Sequence, residues 1–206
     1  KVVKSDARWT TRGRNVLTWT QADGRLKLRL FDAWTGKDLL VRDCMLGSKG
    51  CRIANEEFAV LQPDGNLFIA SLDSGELRVS ANLEPCANLS QLRVLRSQHQ
   101  YHVIANLPLA NPKTNVQPIQ QPGASIYLQR ALVYAFDRAS GKTMWQVPAV
   151  IEQYSLTLDQ PSELPVLTFF QQLRGNAPQT GLLCIDKRDG RILFQKGELP
   201  GQLYSL

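Results

Sequence analysis

The sequence predicts an all-β protein built from about four antiparallel hairpin units, and three observations carry that expectation. A glycine-anchored turn recurs four times along the 206 residues. Extended apolar runs flank each copy. Helical periodicity is missing between the copies, and even "YSLTLDQPSELPVLTFF" is broken by Pro161 and Pro165.

The turn appears in "LRLFDAWTGKDLL" around Gly36, "IASLDSGELRV" around Gly75, "VYAFDRASGKTMW" around Gly141 and "LLCIDKRDGRILF" around Gly190. The residue before each glycine is Thr35, Ser74, Ser140 or Asp189, a short polar side chain able to bond turn backbone. Four before the glycine stands Asp32, Asp137 or Asp186; the second copy reads as tighter, with Asp73 two before Gly75. Four after it stands a large apolar residue: Leu40, Val79, Trp145 or Phe194. A half-buried strand therefore ends at the Asp, the glycine supplies positive φ, and the next strand returns an apolar side chain to the core.

Upstream of the copies lie the runs "NVLTWTQ", "EFAVLQ", "YHVIANL" and "LPVLTFFQQL". The Asp-Gly turns "QADGR" and "QPDGN" join the first two to their following strands. Each unit thus holds at least three strands. The aligned glycines lie 39, 66 and 49 residues apart, against the roughly 40–50 of a four-stranded β-propeller blade. The long interval contains residues 106–125, "NLPLANPKTNVQPIQQPGAS", with four prolines and little apolar content. This segment is expected to be an inserted loop, either disordered or used for contact. The expected organisation is one propeller domain over residues 1–206, forming a section of a larger propeller or protein.

Composition narrows the function classes. With 43% hydrophobic and 20% charged residues the chain has an ordinary globular balance, and no apolar run is long enough to span a membrane as a helix. The net charge of +6 is scattered through the turns, so no nucleic-acid partner is expected. Cys44 and Cys51 flank "MLGSKG"; they form either a small-loop disulfide, which would suit an exported protein, or independent thiols. Cys86 and Cys184 read as buried or surface thiols, and zinc is disfavoured because no C-x-x-C pair exists and only His99 and His102 are available. Those two histidines fall three apart on a presumed strand, on opposite faces, which separates them as metal ligands. Asp186 and Asp189 resemble part of a calcium loop, but their equivalents in the other copies mark them as turn residues. Trp9 and Trp19 read as core or seam residues. Trp34 lies within the turn, between Asp32 and Gly36, where it would point outward and contact a partner.

"AFDRASGKTMW", Ala135 to Trp145, resembles the blade repeat of pyrroloquinoline-quinone-type (PQQ-like) β-propellers. The match lies at Ala135, Asp137, Gly141, Lys142 and Trp145, with partial matches around Gly36 and Gly190, where Leu40 and Phe194 replace Trp. The resemblance implies that Trp145 packs between adjacent blades. It also implies one of two functional classes. Quinoprotein dehydrogenases hold pyrroloquinoline quinone and calcium under an adjacent-cysteine disulfide, and no adjacent cysteine pair exists here. Noncatalytic, assembly-factor-like propellers instead hold other proteins. The expectation is a noncatalytic, cofactor-free scaffold or protein-interaction module of an exported bacterial protein, periplasmic or extracellular. Its partners would be other proteins or the remainder of its own polypeptide. The alternatives are a section of a quinone-dependent dehydrogenase and a glycan-binding propeller.

Overall fold

The first two hairpin units fold as two consecutive four-stranded meanders, the simplest outcome when short turns join alternating strands. In this computed structural model, which describes residues 8–119, 124–174 and 179–200, strands β1 (Arg8–Arg12), β2 (Asn15–Ala22), β3 (Arg25–Asp32) and β4 (Asp38–Cys44) form one antiparallel sheet in chain order. Strands β5 (Lys49–Ile53), β6 (Glu57–Leu61), β7 (Asn66–Ser71) and β8 (Leu77–Asn82) form a second. The β2–β3 hairpin closes on Asp23 and Gly24, both at positive φ (52° and 73°), the requirement of the type I′ turn that Asp-Gly supplies. The two sheets share one core: Leu28, Leu30 and Cys44 of the first meet Phe58, Val60, Phe68 and Ala70 of the second. Phe58 and Phe68 meet edge to face at 6.2 Å.

The later repeats combine differently. Strands β9 (Gln91–Arg96), β10 (Gln100–Leu107), β11 (Val116–Gln117), β12 (Ser125–Asp137), β13 (Ala149–Thr157), β14 (Val166–Leu173), β15 (Gln179–Asp186) and β16 (Ile192–Pro200) belong to one eight-stranded sheet. Its order is β16-β15-β14-β13-β12-β10-β9, with β11 on β14. The 13-residue β12 makes this possible. Its second half pairs with β10 (Val103 opposite Tyr134), while its first half pairs with β13 (Leu128 opposite Tyr154). The closing strand of the third repeat is reduced to a bridge between Phe136 and Thr143. Ile104, Leu128, Val133, Trp145, Leu156, Phe169 and Ile185 lie in a second core cluster.

The chain is all-β and antiparallel, and no helix occurs among the described residues. None is long and apolar enough to cross a membrane. Packing divides the chain into two compact units: residues 1–94 with 138–142, and residues 95–137 with 143–206.

Candidate functional site

The repeated turn is one hydrogen-bonded device. Gly36 N–H donates to Asp32 O at 2.8 Å, Gly75 N–H to Ser71 O at 2.9 Å, and Gly190 N–H to Asp186 O at 2.9 Å. The second copy is therefore not tighter than the others. Ser71, four before Gly75, takes the place that Asp32 and Asp186 hold, and Asp73 is a later turn residue. Ser71 Oγ accepts from Asp73 N–H and Ser74 N–H, as Asp32 Oδ1 accepts from Trp34 N–H and Thr35 N–H. The residue before each glycine accepts from the N–H just after it: Thr35 from Lys37, Ser74 from Glu76, Ser140 from Lys142 and Asp189 from Arg191.

The carboxylates of Asp32 and Asp186 are held charged. Burial pushes Asp32 up, but the Thr35 and Trp34 N–H donors and the Arg14 guanidinium, 2.8 Å away, outweigh it and lower its pKa. At Asp186 the side chain and backbone of Arg188 bring the pKa down to about 2. Asp137 ends β12 at the corresponding place in the third copy.

Three of the four glycines are also wedged against the preceding copy, Gly75 and Gly141 on its outer strand and Gly190 on the Trp145 side chain. A Cβ on Gly75 would lie 2.6 Å from the Leu39 carbonyl oxygen, three residues after Gly36. One on Gly141 would run into the carbonyl of Arg78, three residues after Gly75. One on Gly190 would lie 2.8 Å from Cε3 of Trp145, four residues after Gly141. Positive φ and close approach thus both demand glycine there. Val79 and Trp145 are correspondingly buried, at 1% and 3% exposure, and Trp145 Nε1–H donates to Lys187 O at 3.0 Å. Gly36 differs: nothing lies within 4 Å of the position its Cβ would take. Phe194 differs too, being 43% exposed.

Trp34 is 88% exposed. Its backbone is nevertheless fixed by the Asp32 carboxylate at 2.9 Å, and the neighbouring Ala33 N–H donates to Arg14 O at 2.8 Å. A large aromatic on a braced turn loses little backbone freedom when it is covered. Trp19 is half-buried against the first core cluster. The side chain of Trp9 lies outside the described residues.

Of the two states open to Cys44 and Cys51, a small-loop disulfide or independent thiols, this structure has free thiols, as at Cys86 and Cys184. Cys44 ends β4 as a member of the core cluster, and Cys51 lies on β5 of the other sheet. Burial, aided at Cys44 by Asp43, pushes Cys44 up to about 11, and burial pushes Cys51 up to about 12. Neither is poised as a nucleophile.

His102 is buried at 1% exposure, which its place in a strand covered on both faces explains; His99 lies before that strand. The His102 ring packs against Trp145 at 5.7 Å and hydrogen-bonds the Lys187 backbone, while Nε2 has no protein partner. The ring lines a cavity of about 70 Å³ with Arg96, Ser97, Gln160, Ser162 and Lys187, whose ammonium donates to Ser162 O at 3.1 Å. Burial, then the Lys187 charge, lowers His102 to about 4. That volume is well below the roughly 300–1,000 Å³ of cofactor pockets. Among the described residues no group of three His, Cys, Asp or Glu could hold a metal ion.

The described part of the Pro-rich insertion is tied to its own sheet. Leu107 still belongs to β10, Val116 and Gln117 form β11 on β14, and Ser125 opens β12; residues 120–123 lie outside the described residues. Gln153, a non-glycine at φ 58°, grips Lys113 from both amide atoms: Lys113 N–H donates to its Oε1 at 2.7 Å, and its Nε2–H donates to Lys113 O at 3.1 Å. Ser155 Oγ–H donates to Ile119 O, and Arg174 N–H to Asn115 O. The clamp residue carries no sequence signal beyond being a polar residue amid a strand.

No protein-family model matches the chain, and no curated protein sequence does. Similar solved structures include an acylaminoacyl peptidase from Pyrococcus horikoshii, at 12% identity and a TM-score of 0.41 over 93% of this chain and 32% of that one. BamB from Moraxella catarrhalis gives 13% and 0.33 over 91% and 62%, and the computationally designed Ika8 protein gives 13% and 0.32 over 96% and 64%. The chain therefore spans less than two thirds of each of these structures. At such scores and identities these likenesses assign neither a family nor a function.

Proposed function

We propose that the chain is a section of a PQQ-like β-propeller serving as a noncatalytic scaffold or protein-interaction module in an exported bacterial protein, periplasmic or extracellular. Its partners are other proteins or the remainder of its own polypeptide. One observation carries this reading: Trp34 stands 88% exposed on a turn whose backbone is already fixed. Tryptophan is among the commonest anchors of protein interfaces, and a preformed turn lowers the cost of ordering it. The two successive four-stranded sheets, each with a repeat turn joining its third strand to its fourth, support the propeller part of the reading. The test places a photo-reactive side chain at position 34 in producing cells, with exposed position 27 as control. Protein–protein adducts at 34 and few at 27 are expected. Equal yields at both positions, adducts to glycan alone, or stoichiometric binding of the quinone with calcium to the purified chain would overturn it.

A further inference from the structure

We infer that the cavity beside His102 binds inorganic phosphate in its protonated forms, held by the Lys187 ammonium and read by the free nitrogen of His102. The site lies wholly within the second compact unit and is independent of Trp34.

The charge balance of the cavity calls for an anion. The end of β9, the start of β10, the β13–β14 loop and the residue after β15 converge on it. Among the described residues its polar lining is Arg96, Ser97, His102, Gln160, Ser162 and Lys187, with no carboxylate. Lys187 is 8% exposed. Among the described residues its ammonium has one acceptor, Ser162 O at 3.1 Å, and no carboxylate within ion-pair distance. The neighbouring acids are spent elsewhere: Glu163 accepts from Ser162 Oγ–H, and Asp186 holds Arg188. A buried ammonium is costly unless it is paired.

Lys187 also departs from the repeat. Its N–H donates to Pro165 O as Leu72 N–H donates to Glu56 O, so the two residues hold the same place after the strand-ending acceptor of their copies. Leu72 is 1% exposed and belongs to the first core cluster. The fourth copy therefore sets a cation where the second packs a leucine, and such breaks of a local rule mark functional sites.

His102 decides which anion fits. One ring nitrogen is engaged by the Lys187 backbone, and Nε2, in a ring 1% exposed, has no protein partner. Burial, then the Lys187 charge, keeps the ring neutral at neutral pH. With the other nitrogen donating to the Lys187 carbonyl, Nε2 is an acceptor. It asks for a ligand that brings a proton as well as negative charge. Hydrogen phosphate brings both, P–O⁻ for the ammonium and P–OH for the imidazole. Sulfate and carboxylates, fully ionised at neutral pH, have no O–H to give. The cavity of about 70 Å³ exceeds what one water needs but leaves no room for an organic ester beside the ion.

Calorimetric titration of the full chain at neutral pH, in a buffer free of oxyanions, tests this. Inorganic phosphate should bind one to one with a Kd of about 1 mM or tighter, and sulfate at least about tenfold more weakly. Lys187→Met, apolar as Leu72 is in the second copy, should leave circular dichroism unchanged and weaken phosphate at least about tenfold. His102→Gln, whose amide donates as well as accepts, should narrow the gap between phosphate and sulfate while phosphate still binds. Phenyl phosphate should not compete. No saturable binding of phosphate, equal binding of sulfate by the unaltered chain, or undiminished binding by folded Lys187→Met overturns the inference. Phenyl phosphate bound as tightly as phosphate overturns the assignment to the free ion. The comparison of phosphate with sulfate uses the unaltered chain, so it decides the matter even where a variant fails to fold.

Discussion

At the scale of single residues, the sequence solves one problem in two ways. The first turn donors need an acceptor at the strand end; Asp32 and Asp186 supply a carboxylate, and Ser71 supplies a hydroxyl. The carboxylates come with arginine partners, Arg14 and Arg188, whereas the hydroxyl needs none. His102 is the opposite case, a titratable group buried without a counter-charge and facing the Lys187 ammonium. Its folded pKa of about 4 lies below the ordinary imidazole value of 6.5, so the unfolded chain binds the extra proton between those values. Stability should therefore be level above about pH 6.5 and fall as pH drops toward about 4, by roughly 3 kcal/mol for this group. Urea unfolding across that range should show the slope in wild type, and His102→Gln should flatten it. An unchanged slope in the variant would refute the assignment. Asp186 adds its own loss only lower, as pH falls from about 4 toward about 2.

At the scale of elements, the glycine turn joins local conformation to packing, and the two contributions can be separated. Gly36 and Gly75 have similar positive φ, 69° and 75°, but only Gly75 has a carbonyl where its Cβ would go. Gly36→Ala, measured at dilution, should cost about 1–2 kcal/mol for the left-handed backbone alone. Gly75→Ala should cost distinctly more, because the Leu39 strand must also shift. Equal losses in thermal or urea unfolding would show that the seam yields freely. The central strands β2 and β6 were legible because their apolar runs end in Asp-Gly turns, and β10 and β14 because theirs stand as long apolar runs upstream of a Gly-anchored copy. The opening strands β1, β5 and β9 were not: "RWTTR", "KGCRI" and "QLRVLR" are short and mix charge with isolated apolar residues. The burial of His102 was hidden for a related reason, since β10 is covered on both faces and so shows no alternation. Trp34 was legible because a tryptophan inside a turn has no core to face. The Gln153 clamp was not, because its role depends on a backbone 40 residues away.

At the scale of the whole molecule, four turns spaced 39, 66 and 49 residues apart suggested about four blades, and long-range pairing fused the later repeats into one sheet. The pairing of β12 with both β10 and β13 fuses the last two repeats into one sheet, a choice made by strand length rather than by the turn motif. Each compact unit has a core cluster of its own, around Leu30 and Val60 in one and around Leu128 and Phe169 in the other. Separate cores permit separate cooperative openings. Leu30→Ala, at a fully buried site, should cost about 2–5 kcal/mol, and Phe169→Ala about 3–5 kcal/mol. Native-state hydrogen exchange should place each loss in its own unit: Leu30→Ala should speed exchange of Val60 and Phe68 amides while leaving those of Phe169 and Leu183 protected, and Phe169→Ala should do the reverse. If either substitution accelerated both sets equally, the two cores would be one cooperative body.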